Sequence, residues 1–180
     1  MKKKVLLVLS LIVVLLLVGY RISISHSVKE EVIEEKKEEI IDIKLANLSK
    51  GEVVEGASIK QELLLEDNKI KDGIININNP GDYVVYTFDV INNGNTNMKI
   101  KSIKHTDINC LNEDICKNIS MDLSYSDLPN ELVKENDVIK SNTTLNITLT
   151  VIYNNGKDVL ENVNADISNI GLEIQFDKIN

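Results

Sequence analysis

Histidine, cysteine and proline occur only twice each in these 180 residues, alanine three times and tryptophan not at all. The scarcity of histidine matters most for chemistry. His26 lies in a highly charged segment and His105 ends an alternating apolar run, and no serine sits in the G-x-S-x-G turn that exposes a nucleophile. A glycine-rich loop of the kind that cradles phosphate is missing too. Carboxylates are plentiful, yet no spacing singles out a pair. These absences exclude the common routes to nucleophilic catalysis and to nucleotide binding. The chain is therefore read as a non-enzyme that takes no cofactor. A metal-dependent hydrolase of the envelope is the enzymatic alternative, and the scatter of ligand-type residues argues against it.

Positive charge is in deficit as well. The chain holds 20 Lys and Arg against 28 Asp and Glu. Setting aside Lys2, Lys3, Lys4 and Arg21, which flank the first apolar run, leaves 16 positive residues against 28 negative, a balance of −12. So acidic a surface repels phosphate backbones and excludes nucleic acid as a partner. What is abundant is Ile, Asn and Lys, the composition of a bacterial genome poor in G and C.

Met1-Lys2-Lys3-Lys4 precedes an apolar run from Val5 to Val18, interrupted only by Ser10 and followed by Gly19, Tyr20 and Arg21. A positive tip before an apolar stretch is an export signal. Crossing the hydrocarbon core takes ~20 residues, which the run reaches if Tyr20 sits at the interface, Arg21 snorkels, and Ile22 and Ile24 complete the span. Signal peptide and signal anchor both remain open. The only small-residue cleavage pattern is Ser23-x-Ser25 before His26, and no cysteine follows the run to take a lipid. Residues 1–25 are accordingly expected to be an uncleaved anchor that meets the lipid bilayer through Val5–Tyr20, lysines inside the cell and the rest outside; a chain released by cleavage is the alternative. Residues 26–40, rich in Glu and Lys at helical separations with a thin apolar stripe, are expected to form a charged stalk.

From Ile41 the period changes to two. IDIKLANL puts Ile41, Ile43 and Leu45 on one face, and SIKQELLL (58–65) and GIININ (73–78) are weaker runs separated by the turn-prone EDNKIKD. The clearest stretch is NPGDYVVYTFDVINNGN (79–95). Here Val84, Tyr86, Phe88 and Val90 form a uniformly apolar face, Pro80-Gly81-Asp82 turns the chain before it, and Asn92-Asn93-Gly94-Asn95 is expected to reverse it into a hairpin. Its expected partner is MKIKSIKH (98–105), with Met98, Ile100 and Ile103 inward. ISMDLSY (119–125), TTLNITLTVIY (143–153) and GLEIQFDKI (171–179) alternate again. Seven or eight short strands bounded by turn residues, with no long amphipathic helix among them, predict an all-β antiparallel sandwich over residues 41–180.

Pro80-Gly81-Asp82 before an alternating strand, Asn92-x-Gly94 after it, and a long Thr-rich strand ending in Tyr153 resemble the immunoglobulin-like modules of Gram-positive surface and secreted proteins, such as CARDB-like and DUF11-like repeats. The chain is also similar in outline to the camelysin and TasA-like group of exported proteins, from which it departs in its Glu/Lys stalk and in lacking a clear cleavage site. The resemblance implies an Ig-like sandwich displayed at the cell surface for adhesion, assembly or presentation, with surface or matrix proteins as partners. It implies no catalytic residue. The alternative it carries is a secreted matrix or biofilm-fibre subunit, polymerised by strand addition at an exposed edge.

Cys110 and Cys116, in CLNEDIC, are expected to pair outside the cell and close a small loop. With His105 they would supply only three of the four ligands a zinc site needs, at a spacing unlike a zinc knuckle. Asp107, Asn109, Glu113 and Asp114 in the same loop are a candidate calcium set, although the spacing is not that of an EF-hand and the required glycine is missing; a solvated acidic loop is the preferred reading. Asn47, Asn118, Asn142 and Asn146 match the glycosylation sequon, incidentally in so Asn-rich a chain. Any binding is expected around Tyr83, Thr87 and Asp89, on the face opposite the core, or in the cysteine loop.

Overall fold

Val84, Tyr86, Phe88 and Val90 are each at most 1% exposed, as the alternation around them requires. The structure, a computed structural model, describes residues 38–156 and 159–179. The expected anchor, and the stalk up to residue 37, lie outside the described residues. Glu39–Asn180 form one compact unit.

In chain order the strands are β1 (Ile43–Ala46), β2 (Glu52–Val54), β3 (Ser58–Gln61), β4 (Leu64–Glu66), β5 (Lys69–Ile77), β6 (Tyr83–Asn92) and β7 (Met98–His105), then after a short helix α1 (Glu113–Cys116), β8 (Ile119–Tyr125), β9 (Leu128–Leu132), β10 (Val138–Ile139), β11 (Thr143–Tyr153) and β12 (Ala165–Lys178). They make two six-stranded antiparallel sheets. The first runs β1-β6-β11-β8-β9 with β2 also on β6, and the second runs β10-β7-β12-β5-β3 with β4 also on β5. The inner faces enclose one core in which Ile75, Ile77, Ile147, Leu149, Val151, Ile167 and Ile174 are fully buried. Each such side chain contributes about 1.5–3 kcal/mol of transfer free energy.

Three expectations are corrected. First, β6 and β7 do not form a hairpin: β6 lies between β1 and β11 in one sheet, and β7 between β10 and β12 in the other. The Asn-rich turn carries the chain from sheet to sheet. Asn92, 1% exposed, holds this corner, because its Nδ2 donates to the carbonyls of Thr96 (3.0 Å), Ile139 (3.3 Å) and Lys140 (3.1 Å) while its Oδ1 accepts the Gly94 N–H at 3.1 Å. Gly94 is required there, since a Cβ would come within 2.3 Å of the Ile40 carbonyl oxygen.

Second, the strands number twelve among the described residues, more than the seven or eight expected. The extra ones are β2, β9 and β10, too short or too exposed to show an alternation, and the SIKQELLL run divides into β3 and β4. Third, EDNKIKD is mostly strand. Only Asp67 and Asn68 turn, with Glu66 opposite Lys69, and β5 begins at Lys69 with a kink at Asp72, whose φ is +63°. Strand β12 likewise starts six residues earlier than its alternation suggests, because register shifts between Ile167 and Leu172 break the period.

Asparagine does much of the turning that glycine does elsewhere. Among the described residues nine non-glycines have positive φ, and all but Glu55 are Asn or Asp, the side chains that tolerate this region best. In the Pro80-Gly81-Asp82 turn Gly81 takes φ +97°, and its N–H donates to Tyr153 O at 2.7 Å, joining the turn to the end of β11.

Candidate functional site

The two sheets are unevenly closed along one side. β10 covers only Met98 and Lys99 of β7, and β9 meets β8 at Ser124 and Tyr125, so the rest of both inner strands faces outward between the sheets. A cleft of about 290 Å³ opens there, walled by Ile103, Met121, Leu123, Leu132 and Val133. Its rim carries His105, Asp122, Lys134 and Glu135. Ile103 reaches the cleft because of a bulge: Ile100 pairs with Phe176 and Ser102 with Gln175, which leaves Lys101 as the extra residue. One inserted residue turns the following side chains to the other face.

Residues 133–137 carry the chain from the first sheet to the second and form one end of the cleft. Asn136 (φ +73°) donates its N–H to Ile100 O at 2.7 Å, and Ile100 returns its own N–H to Asp137 O at 3.0 Å. The Asp137 carboxylate fixes the loop, accepting the Tyr125 hydroxyl and the Lys134 N–H, both at 2.7 Å on Oδ2. Burial, and then the hydrogen bond to that carboxylate, push the Tyr125 phenol far above its ordinary pKa. His105 goes the other way: burial lowers its pKa, with the charge of Asp122 opposing. The arrangement is apolar within and charged at its rim, suited to receiving apolar side chains of another molecule.

In the cysteine loop, Cys110 and Cys116 are bonded, with Cα atoms 5.7 Å apart. Asn112 caps α1 by accepting the Asp114 N–H at 2.8 Å, and Ile115 anchors the helix in the core. Leu111, at the tip, is 96% exposed. Asp107 O accepts from Asn169 Nδ2 at 2.7 Å, the backbone of Asn109 pairs with Ser168, and Glu113 and Asp114 lie in the first turn of α1, where Asp114 pairs with Lys117 at 3.1 Å. Among the described residues no group of three or more His, Cys, Asp or Glu is placed to hold a metal ion.

On the outer face of the first sheet, Asp89 is held from both sides. Its Oδ2 accepts from Asn47 Nδ2 at 2.6 Å and its Oδ1 from Asn146 Nδ2. Thr87 donates its N–H to Ser49 Oγ at 2.8 Å. These contacts fasten residues 47–49 across β6, so Thr87 and Asp89 have a structural task. The cleft itself was not foreseen; β9, β10 and their connection lack periodicity, and the only signals were the apolar pairs Leu132-Val133 and Val138-Ile139 around a turn-forming Asn136-Asp137.

Among the described residues no helix is long and apolar enough to cross a membrane; the expected Val5–Tyr20 segment lies outside them. No protein-family model, curated protein sequence or solved structure matches this chain.

Proposed function

We propose that the chain is a membrane-anchored bacterial cell-surface module, in which an Ig-like sandwich is held outside the cell for a structural, adhesive or protein-binding role without catalysis. One observation carries the binding part. Leu128, Leu132 and Val138, on the two edge strands that flank the cleft, are 52%, 53% and 53% exposed, and apolar side chains left exposed around an apolar cleft mark a contact surface. Support for the anchor comes from Lys2, Lys3 and Lys4 before Val5–Tyr20. The disulfide accords with an oxidising exterior.

Cell fractionation followed by N-terminal sequencing tests the anchor. The chain is expected in the membrane fraction with its lysine-rich start intact. A mature chain beginning near His26 in the medium would overturn anchoring and leave the released subunit in its place.

A further inference from the structure

The side of the sandwich that carries the cleft is divided by charge. Lys99, Lys101 and Lys104 of β7, Lys140 after β10 and Lys134 in the connecting loop make no ion pair within 4.0 Å among the described residues, and neither do Lys44 and Lys50 elsewhere, whereas Lys60, Lys69, Lys71, Lys117 and Lys178 all do. Lys104 stands across from Glu173 in the register and adds to the charge that lowers its pKa, but the direct ion pair of Glu173 is with Lys69, at 3.2 Å. In so acidic a chain, five cations gathered without ion-pair partners require explanation. On the other side of the cleft, β9 and the turn before it present Asp127 and Glu131, with Leu128 and Leu132 exposed between and beside them.

We infer that this side is a self-complementary interface, and that its occupant is a second copy of the chain. A two-fold axis running along the cleft, parallel to the strands, lies in the plane between two facing copies. It sets the acidic β9 row of each against the basic β7 row of the other, as an isologous contact requires. Glu131 and Lys104 adjoin Leu132 and Ile103, which line the cleft from opposite walls, so the axis brings the Glu131 wall of one copy to the Lys104 wall of the other. Leu128 and Leu132 of one copy then enter the cleft of the other. Of the 23 residues in 99–105, 121–123 and 127–139, Ile100, Leu123, Val133 and Ile139 are buried within the copy itself, which leaves about 19 for contact, near the lower end of a standard interface side. Contact is made by side chains, because Pro129 lacks an N–H and the bulge at Lys101 distorts the other edge, which discourages strand addition. The inference rests on the proposal that the cleft side is the contact surface, and names what it contacts.

The test is sedimentation of the full-length chain in a mild non-ionic detergent, with Lys104→Glu, Glu131→Lys and the double variant. Both substitutions fall on exposed positions, and circular dichroism checks that folding is kept. Each single reversal is expected to weaken dimerisation about tenfold or more, and the double reversal to restore it to within about threefold of the parent. A monomer at all concentrations, or a dimer indifferent to both reversals, overturns the inference. In either case a partner of different identity on the same surface stands or falls separately, by whether Leu132→Glu abolishes a cross-link formed on intact cells.

Discussion

The carboxylate of Asp82 accepts the backbone N–H of Gly56 at 2.9 Å, tying the turn before β3 to the turn before β6. It also accepts the N–H groups of Asn78 at 2.7 Å and Asn79 at 2.9 Å, and Asp82 is only 2% exposed. The Asp of the Pro-Gly-Asp turn thus closes its own turn and joins it to a second chain segment, and its service is to the scaffold.

Asp82→Ala is expected to cost about 3 kcal/mol, since three donors lose a charged acceptor, and Asp82→Asn about half of that. Urea unfolding of both variants measures the order. The pH dependence follows from the same bonds. Burial opposes the charge, but the N–H groups of Asn79, Asn78 and Gly56 together outweigh it and hold the pKa below the ordinary 3.8. A depressed folded-state pKa gives stability that is complete above the unfolded value and lost as pH falls through the folded one. The parent therefore loses stability below about pH 4, and Asp82→Asn loses less over that range.

Asn92→Ala should destabilise by about 2–3 kcal/mol, because the carbonyls of Thr96, Ile139 and Lys140 lose their shared donor at the corner between the sheets. Asn92→Asp should be worse at neutral pH, where a carboxylate would face those carbonyls, and should recover on acidification as the acid becomes a donor. Thermal melts at pH 7 and pH 4.5 distinguish the two variants.

Tyr86 is the opposite case. Its hydroxyl is buried and has no hydrogen-bond partner among the described residues, and burial, helped by the charge of Glu62, pushes its pKa up to about 12. Removing an unpartnered polar atom restores what its desolvation cost, so Tyr86→Phe is expected to lie within about 1 kcal/mol of the parent or to exceed it in stability. Equilibrium unfolding reads the difference, and a spectrophotometric titration should lose its step near pH 12.

Reducing the Cys110–Cys116 bond should lower stability by about 2 kcal/mol and loosen residues 107–118 while the sandwich persists. Mass spectrometry with and without reductant should show a two-proton difference, and hydrogen exchange should locate the loosening.

Much of the core was legible in the sequence. Val84, Tyr86, Phe88 and Val90 alternate without exception, as do Leu145, Ile147, Leu149 and Val151, because both strands lie inside their sheet with one face on the core. Connectivity was not legible. Asn92-Asn93-Gly94-Asn95 has the composition of a hairpin turn, and what makes it a corner is a bond from Asn92 to carbonyls of Ile139 and Lys140, 47 and 48 residues away. The bulges at Lys101 and near Asn169 reset the alternation part-way along β7 and β12. Cys110 and Cys116 were found from their spacing and number. The cleft was missed because it is built from strand ends and a connection, where neither period nor motif operates.

Labelling of lysines on intact cells with a membrane-impermeant amine reagent most directly tests a sandwich held outside the cell by an N-terminal anchor. Lys50, Lys60 and Lys117, exposed and away from the cleft side, should be modified before lysis, and Lys2, Lys3 and Lys4 only after it. Protection of the sandwich lysines until the cells are broken would contradict the proposed placement.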